Sequence, residues 1–273
     1  RGQHSAMEVK SFETDWGGKK LIIETGRYAQ QAAGNCIVRY GDTVILAAVT
    51  MAAKARESVD FFPLSVEYEE KLYAVGKIKS SRFIKREGRP TDEAVMTSRM
   101  IDRAIRPLFP EGVRNDVQVV VECLSFDQEN DCDVLALVGA SCALAISDIP
   151  WAGPIGSIRI GRVGGEWVIN PTIEARGKSD LDVIVAGTPE KALMIEANAQ
   201  EVPEQDMYGA IMFGQKHLKE PIGLIAQVVS AVGQKKRDPR DLMVAAEGDA
   251  ETLKDKEEMI AKAKAFLTTR FPE

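Results

Sequence analysis

The sequence contains only two histidines and four cysteines among its 273 residues. His4 lies in the first six residues, which leaves His217 alone in the rest of the chain. This scarcity argues against histidine-based catalytic triads and histidine-rich zinc sites, so any metal ion would be a hard cation such as Mg²⁺ held by carboxylates. No two cysteines form a C-x-x-C pair, so neither a zinc site nor a disulfide framework is predicted. We therefore expect a reducing, cytoplasmic compartment.

Long apolar runs are also missing. No stretch approaches the roughly 18 residues that would cross a membrane, so we expect no membrane association. A secretory signal is absent as well, and residues 1–6, which precede Met7, are interpreted as a cloning remnant or a short extension. Charged residues make up 28% of the chain and hydrophobic residues 45%, which is typical of a globular protein.

Acidic residues outnumber basic residues in the whole chain, but basic residues are concentrated in one segment. The protein has a formal net charge of −6, yet the stretch from Lys77 to Arg106 is basic. Nine basic and four acidic residues give this segment a net charge of +5 and leave −11 for the remainder. Its basic residues are Lys77, Lys79, Arg82, Lys85, Arg86, Arg89, Arg99, Arg103 and Arg106. Such clustering favours an anion-binding surface, although a solvated loop followed by a surface helix would have the same composition.

Within this segment a loop gives way to a helix. Thr91 is a suitable helix cap, with acidic residues in the first turn, and Pro107 ends the pattern. At 100° per residue, Arg99, Arg103 and Arg106 lie on one face and apolar residues on the other. The predicted helix therefore buries one side and presents an arginine stripe, which either binds a ligand or forms salt bridges.

The remaining patterns predict an α+β fold. Short β-branched runs and glycine turns indicate strands over 21–24, 36–40, 43–50, 64–69, 117–126, 155–163, 167–169, 181–186 and 192–197. Residues 133–147 are apolar on nearly all sides, which predicts a buried helix. Further helices are predicted over 203–218, 221–232 and 249–269. The charged stretch around 236–244 is interpreted as a linker, so that 7–235 forms one domain and 245–273 the start of a truncated all-helical domain.

Several short motifs together resemble a known family. The chain is similar to the N-terminal part of the bacterial polynucleotide phosphorylase family, whose members are phosphate-dependent 3′-to-5′ exoribonucleases. Single motifs of this kind are weak, but these occur in the same order and at matching spacing. They are residues 60–64 (DFFPL), 81–90 (SRFIKREGRP), 101–103 (IDR), 106–112 (RPLFPEG), 139–141 (GAS), 153–156 (GPIG) and 181–188 (LDVIVAGT).

The resemblance implies a fold and an activity. It implies an RNase PH-like domain, of the ribosomal protein S5 domain 2-like type, with mixed sheets and packed helices, followed by the first part of an all-α domain. The full-length parent would be a polyribonucleotide nucleotidyltransferase acting in mRNA degradation. It would convert RNA and inorganic phosphate reversibly to nucleoside diphosphates with Mg²⁺, as a homotrimer with partners in an RNA-degrading complex.

The same resemblance implies that chemistry lies in a second RNase PH-like domain outside this chain. The serine-rich phosphate turn of the catalytic domain corresponds here to Asp131, Cys132 and Asp133, where carboxylates would repel phosphate. One metal-binding aspartate corresponds to Asp182, but a second falls near Arg176. We therefore expect no catalytic residue and no metal site in this chain, and an isolated fragment without activity.

RNA guidance is the role that the resemblance implies for this domain. In the family, the loop that matches 82–89 faces the channel of a ring and holds single-stranded RNA. Cations would neutralise the RNA backbone and Phe83 would stack on a base. The family usually has two phenylalanines and two arginines at the positions of residues 83–86, so Ile84 and Lys85 are departures. The predicted RNA-binding residues are Arg82, Phe83, Lys85, Arg86, Arg89, Arg99, Arg103 and Arg106.

Two alternatives stay open. The chain could be a non-catalytic RNA-binding or scaffold subunit of an exosome-like ring, with a similar fold and no covalent second half. Alternatively, the basic segment could form intramolecular salt bridges with the acidic remainder and bind nothing.

Overall fold

The fold begins with a six-stranded sheet. The structure is a computed structural model that describes residues 8–55, 59–78, 88–247 and 250–270. The sheet has the order β1-β2-β3-β4-β6-β5, in which only the β5–β6 pair is parallel. Its strands are β1 (Lys10–Trp16), β2 (Lys19–Thr25), β3 (Gly34–Tyr40), β4 (Thr43–Ala55), β5 (Leu64–Glu70) and β6 (Asn115–Ser125).

A second, four-stranded sheet follows. It consists of β7 (Gly156–Val163), β8 (Glu166–Ile169), β9 (Leu181–Gly187) and β10 (Ala192–Ala199), antiparallel in the order β10-β9-β7-β8. Gly164 and Gly165 form the β7–β8 turn with φ of 61° and 87°, values that glycine adopts without a steric penalty. The predicted hairpin turn is thereby confirmed.

Seven α-helices are found among the described residues. They are α1 (Asp92–Ile105), α2 (Cys132–Ile146), α3 (Ile173–Arg176), α4 (Glu204–Lys216), α5 (Lys219–Val232), α6 (Pro239–Glu247) and α7 (Ala250–Arg270). Helix α2 packs on β3, β4 and β6 on one side and on α5 and β7 on the other. Every residue of α2 except Asp133 is buried, so the predicted buried helix is confirmed and forms the centre of the core.

Helix α1 has the predicted cap and faces. The Thr91 hydroxyl accepts a hydrogen bond of 3.1 Å from the backbone N–H of Ala94, and Asp92 and Glu93 occupy the first turn. The buried face is the expected apolar one, consisting of Ala94, Met100, Ile101, Ala104 and Ile105. The arginine stripe consequently lies on the outer side of α1. In the described part of the chain, no helix has the length and apolarity that crossing a membrane requires.

The stretch expected to be a linker, 236–244, contains helical residues from Pro239 onward. Proline suits the first position of a helix, and Leu242 is only 8% exposed because α6 packs against β4. The charge of the stretch hid this apolar contact in the sequence. The described side chains of α7 are exposed, including Met259, Ile260, Phe266 and Leu267. The domain boundaries at 235 and 245 stay predictions.

Candidate nucleic-acid interface

The two ends of the predicted RNA-binding loop are well defined. Before the loop, a 3₁₀ turn over Leu72–Val75 ends at Gly76, whose φ of 69° lets the chain turn away from the sheet. After the loop, Thr91 caps α1. Residues 79–87 lie outside the described residues, and with them the predicted contacts Arg82, Phe83, Lys85 and Arg86. Arg89 is described and is exposed.

Two of the three stripe arginines have intramolecular partners. Arg103 donates to Glu196 on β10 at 2.5 Å, which joins α1 to the second sheet. Arg106 binds both carboxylate oxygens of Asp102 at 2.5 Å and also donates to the carbonyl oxygens of Phe62 and Leu64. The hydrogen bonds to Asp102 raise the pKa of Arg106. Both side chains therefore form salt bridges within the domain, which is one of the two roles left open for the stripe.

Arg99 differs from its two neighbours. It is exposed, and within the described portion of the chain it forms neither a hydrogen bond nor an ion pair. Arg89 precedes α1 and Arg99 lies in the middle of that helix, and both carry positive charge on the surface. Among the predicted RNA-binding residues that the structure describes, Arg89 and Arg99 are the ones that remain available to a polyanion. Their role in RNA binding stays a prediction.

A buried charge cluster lies between the start of α2 and the four-stranded sheet, at the residues that the resemblance matches to the phosphate turn. Its centre is Arg159 on β7, which is 6% exposed. Arg159 donates to Asp133, donates to Asp182 at 2.5 and 2.6 Å, and lies 3.3 Å from Asp131. Arg176 on α3 adds a 2.6 Å contact with Asp131. Three carboxylates thus share two guanidinium groups.

The charged groups in this cluster shift one another's pKa values. Burial alone would lower the pKa of Arg159, but Asp133, Asp131 and Asp182 outweigh it and raise that pKa. Burial raises the pKa of Asp131, while Arg159 and Arg176 act against the rise. Removing one member of such a buried network typically costs about 3 to 5 kcal/mol, because the remaining charges lose their partners. The cluster is therefore a structural element that fixes the start of α2 against β7 and β9.

This arrangement suits neither a metal ion nor a phosphate group. The carboxylates that could hold Mg²⁺ are already bound by arginine, and no group of three metal-ligating side chains occurs within the described ranges. At Asp131, Cys132 and Asp133, which the resemblance matches to the phosphate turn, no side chain carries a hydroxyl group. Sequence reasoning missed Arg159, although a charged residue between Ile158 and Ile160 in an apolar strand signals a buried ion pair.

Family models match the chain in two consecutive blocks. Domain 1 of the 3′ exoribonuclease family (RNase_PH) matches residues 17–150, and domain 2 of the same family (RNase_PH_C) matches residues 153–217. The first block contains β2 to β6 with α1 and α2, and the second contains β7 to β10 with α3 and α4. The chain has an RNase PH-like fold and belongs to the 3′ exoribonuclease family.

Curated relatives carry the name polyribonucleotide nucleotidyltransferase. The relative from Heliobacterium modesticaldum is 52% identical over 232 residues, which is 85% of this chain and 32% of that protein. The relative from Bacillus cytotoxicus is 49% identical over 257 residues, which is 94% of this chain and 35% of that protein. The predicted resemblance is confirmed, and the chain spans about a third of the length of these relatives.

Solved structures of much lower identity share the fold. Rice (Oryza sativa) Rrp46 superimposes with a TM-score of 0.60 at 12% identity, covering 84% of this chain and 98% of that one. A chain of the Archaeoglobus fulgidus exosome with RNA bound to the active site gives 0.55 at 14% identity, covering 85% and 91%. The predicted α+β, RNase PH-like class is confirmed.

Proposed function

We propose that this chain is the N-terminal portion of a polyribonucleotide nucleotidyltransferase that binds single-stranded RNA without cleaving it. The observation that carries the proposal is the identity of about half the residues with proteins of that name over most of this chain. Chemistry would take place in a part of the full-length protein outside these residues, with inorganic phosphate as co-substrate and Mg²⁺ as cofactor. The full-length protein would act in mRNA degradation in the cytoplasm.

The charge distribution supports an RNA-guiding role. Phosphate contacts provide affinity without reading sequence, and an acidic protein with one basic segment directs a polyanion to that segment. Exposed positive charge remains at Arg89, the last residue of the loop 82–89, and at Arg99 on α1. Arg103 and Arg106, in contrast, are better assigned to the fold through Glu196 and Asp102.

The buried cluster around Arg159 supports a non-catalytic role. An exoribonuclease that uses phosphate needs donors for the attacking phosphate and a cation at the scissile one. Here Arg159 and Arg176 are occupied by Asp131, Asp133 and Asp182. We therefore expect purified chain to release no nucleoside diphosphates from RNA in the presence of phosphate and Mg²⁺. Nucleoside diphosphate release by an activity that co-purifies with the chain would contradict this part of the proposal.

Ring assembly is the second part of the proposal. The full-length protein would form a homotrimer and join an RNA-degrading complex, and this domain would contribute to the ring. Analytical ultracentrifugation of the full-length protein, compared with a form that lacks residues 8–235, tests this directly. A trimer that persists without the domain would contradict its role in assembly.

One alternative has its own supporting observation. The fold covers 98% of rice Rrp46, so a domain of this shape exists as a separate chain. In that case the protein would be a non-catalytic subunit of an exosome-like ring with different neighbouring subunits. Identity of 12% with Rrp46 against 52% with the Heliobacterium relative favours the first proposal. Co-purification of distinct RNase PH-like chains, rather than identical copies, would favour the alternative.

A further inference from the structure

Two free cysteines lie side by side where β6 leads into α2. Cys123 is close to the end of β6 and Cys132 is the first residue of α2. Their sulfur atoms are 3.1 Å apart, and both thiols are free. A disulfide bond is about 2.05 Å long, so the two sulfurs would have to approach each other by only about 1 Å to form one.

The pair also borders a space that a small reagent can enter. A cavity of about 390 Å³ lies between β6, α1 and the 3₁₀ turn Leu72–Val75, and both cysteines contribute to its wall. Cys132 retains 9% exposure and Cys123 1%. Thr91, the cap of α1, lines the same cavity. The cysteine pair therefore shares a cavity with Leu72–Val75 and Thr91, which precede and follow the predicted RNA-binding loop in the sequence.

The second pair of cysteines serves as an internal comparison. Cys36 and Cys142 are 1% and 0% exposed, and neither lines this cavity. The Cys36 thiol contacts the carbonyl oxygen of Gly139 at 3.4 Å inside the packed core. Contact with Cys36, together with complete burial, raises the pKa of Cys142. The hydrogen bond between Cys123 and Cys132 lowers the pKa of Cys123 and raises the pKa of Cys132, so Cys123 is the thiol of this pair that more readily forms the reactive thiolate.

We propose that Cys123 and Cys132 form a modification site, a dithiol that hydroperoxides oxidise to an intramolecular disulfide. The Cys123 thiol releases its proton, its thiolate attacks one peroxide oxygen, and the O–O bond breaks to give a sulfenic acid. The released oxygen takes up the proton from Cys123 and leaves as one molecule of water (or alcohol). The Cys132 sulfur then attacks the Cys123 sulfur, the S–O bond breaks, and a second water leaves with the Cys132 proton. The two thiols lose two electrons in total, and the peroxide gains them.

The Cys123–Cys132 disulfide bond would join β6 to α2 beside the charge cluster around Arg159. Cys132 lies between Asp131 and Asp133, the carboxylates that hold Arg159. A covalent link to β6 would fix the first turn of α2, and with it this charge cluster, against the six-stranded sheet. In a reducing compartment such a bond would be transient, which is the behaviour of redox-sensing disulfides.

Peptide mapping after hydrogen peroxide treatment tests the proposal. The 273-residue chain is exposed to peroxide, its remaining thiols are alkylated under denaturing conditions, and the protein is digested without reductant. Mass spectrometry should find the Cys123 and Cys132 peptides joined, lighter by two hydrogen atoms and separated by dithiothreitol. Cys36 and Cys142 should stay fully alkylated in the same sample.

Because both cysteine pairs are compared within the same molecule, the result does not depend on whether a variant folds. Equal or earlier oxidation of Cys36 and Cys142 would overturn the proposal, and so would sulfinic acid at Cys132 without a cross-link. A Cys123→Ser variant, checked by circular dichroism for folding, should lose the cross-linked product completely. A disulfide from Cys132 to another cysteine in that variant would show that proximity to Cys123 does not govern the reaction.

Discussion

At the scale of single residues, Arg159 is a buried charge that depends on its carboxylate partners. It is almost fully buried and shared by Asp131, Asp133 and Asp182, whereas Arg103 pairs with Glu196 at the surface. Buried and exposed ion pairs differ in what their removal costs. A buried pair leaves an uncompensated charge behind, but an exposed one is replaced by water.

Replacing Arg159 by methionine should therefore lower the free energy of unfolding by about 3 to 5 kcal/mol. The matched change Arg103→Met should cost less than about 1 kcal/mol, because both partners at that site are accessible to solvent. Urea unfolding followed by circular dichroism measures both values. Similar losses in the two variants would mean that the cluster around Arg159 is not a structural centre.

Asp127 gives a prediction that depends on pH. It accepts hydrogen bonds of 2.8 Å from the backbone N–H groups of Glu129 and Asn130. Burial acts to raise the pKa of Asp127, but these bonds outweigh burial and lower it to about 2. Since an unfolded aspartate titrates near about 3.9, the stabilisation is present above pH ~4 and is lost as the pH falls towards ~2.

An Asp127→Ala variant should thus be less stable than the parent at neutral pH, by about 1 kcal/mol once solvent screening is allowed for. The difference should shrink between pH ~4 and pH ~2. Thermal unfolding of both proteins across this range provides the measurement. A difference that stays constant, or grows on acidification, would exclude the carboxylate as its source.

At the scale of secondary structure, β3 and α2 approach each other closely at a glycine. A Cβ atom on Gly34 would lie 2.1 Å from the carbonyl oxygen of Ala143 in α2, so the two backbones could not keep their present separation. In helix α5, a Cβ atom on Gly223 would meet nothing within 4 Å. A side chain is therefore excluded at Gly34 and has free space at Gly223.

Gly34→Ala should destabilise the protein by about 2 to 3 kcal/mol through overpacking. Gly223→Ala should stabilise it by about 0.5 to 1 kcal/mol, because alanine is the better helix former and restricts the unfolded chain. Both values come from urea unfolding. The sign of the effect is the critical observation: stabilisation by Gly34→Ala would contradict the packing of α2 on β3.

Most elements could be predicted from the sequence because their patterns are local. The all-apolar run of α2, the capped α1 and the glycine hairpin at 164–165 each carry a complete signal within a few residues. Strand β1 was missed because Phe12, Thr14 and Trp16 give a period-two pattern with few strongly apolar residues. The parallel pairing of β5 with β6 and the Arg159 cluster join distant segments, and no local pattern specifies them.

At the scale of the whole molecule, the sequence combines a net negative charge with one basic segment, and the described carboxylates around Arg159 are already paired with arginine. Arg103 and Arg106 form salt bridges within the domain, so the predicted RNA-binding surface centres on residues 82–89 and Arg99. The salt dependence of RNA binding measures how many phosphates this surface neutralises. It tests the central claim more directly than affinity alone.

The decisive experiment is the salt dependence of binding to a single-stranded homopolymeric RNA, followed by fluorescence anisotropy between about 50 and about 200 mM KCl. A variant with Arg82, Lys85, Arg86 and Arg89 changed to alanine should lower the slope of log K against log salt by up to about 3, since each contact contributes about 0.7. A control with the exposed Lys178, Lys191, Lys216 and Lys219 changed to alanine has the same net charge and should keep the slope. Equal slopes in both variants, or an unchanged slope in the first, would contradict RNA binding by the basic segment.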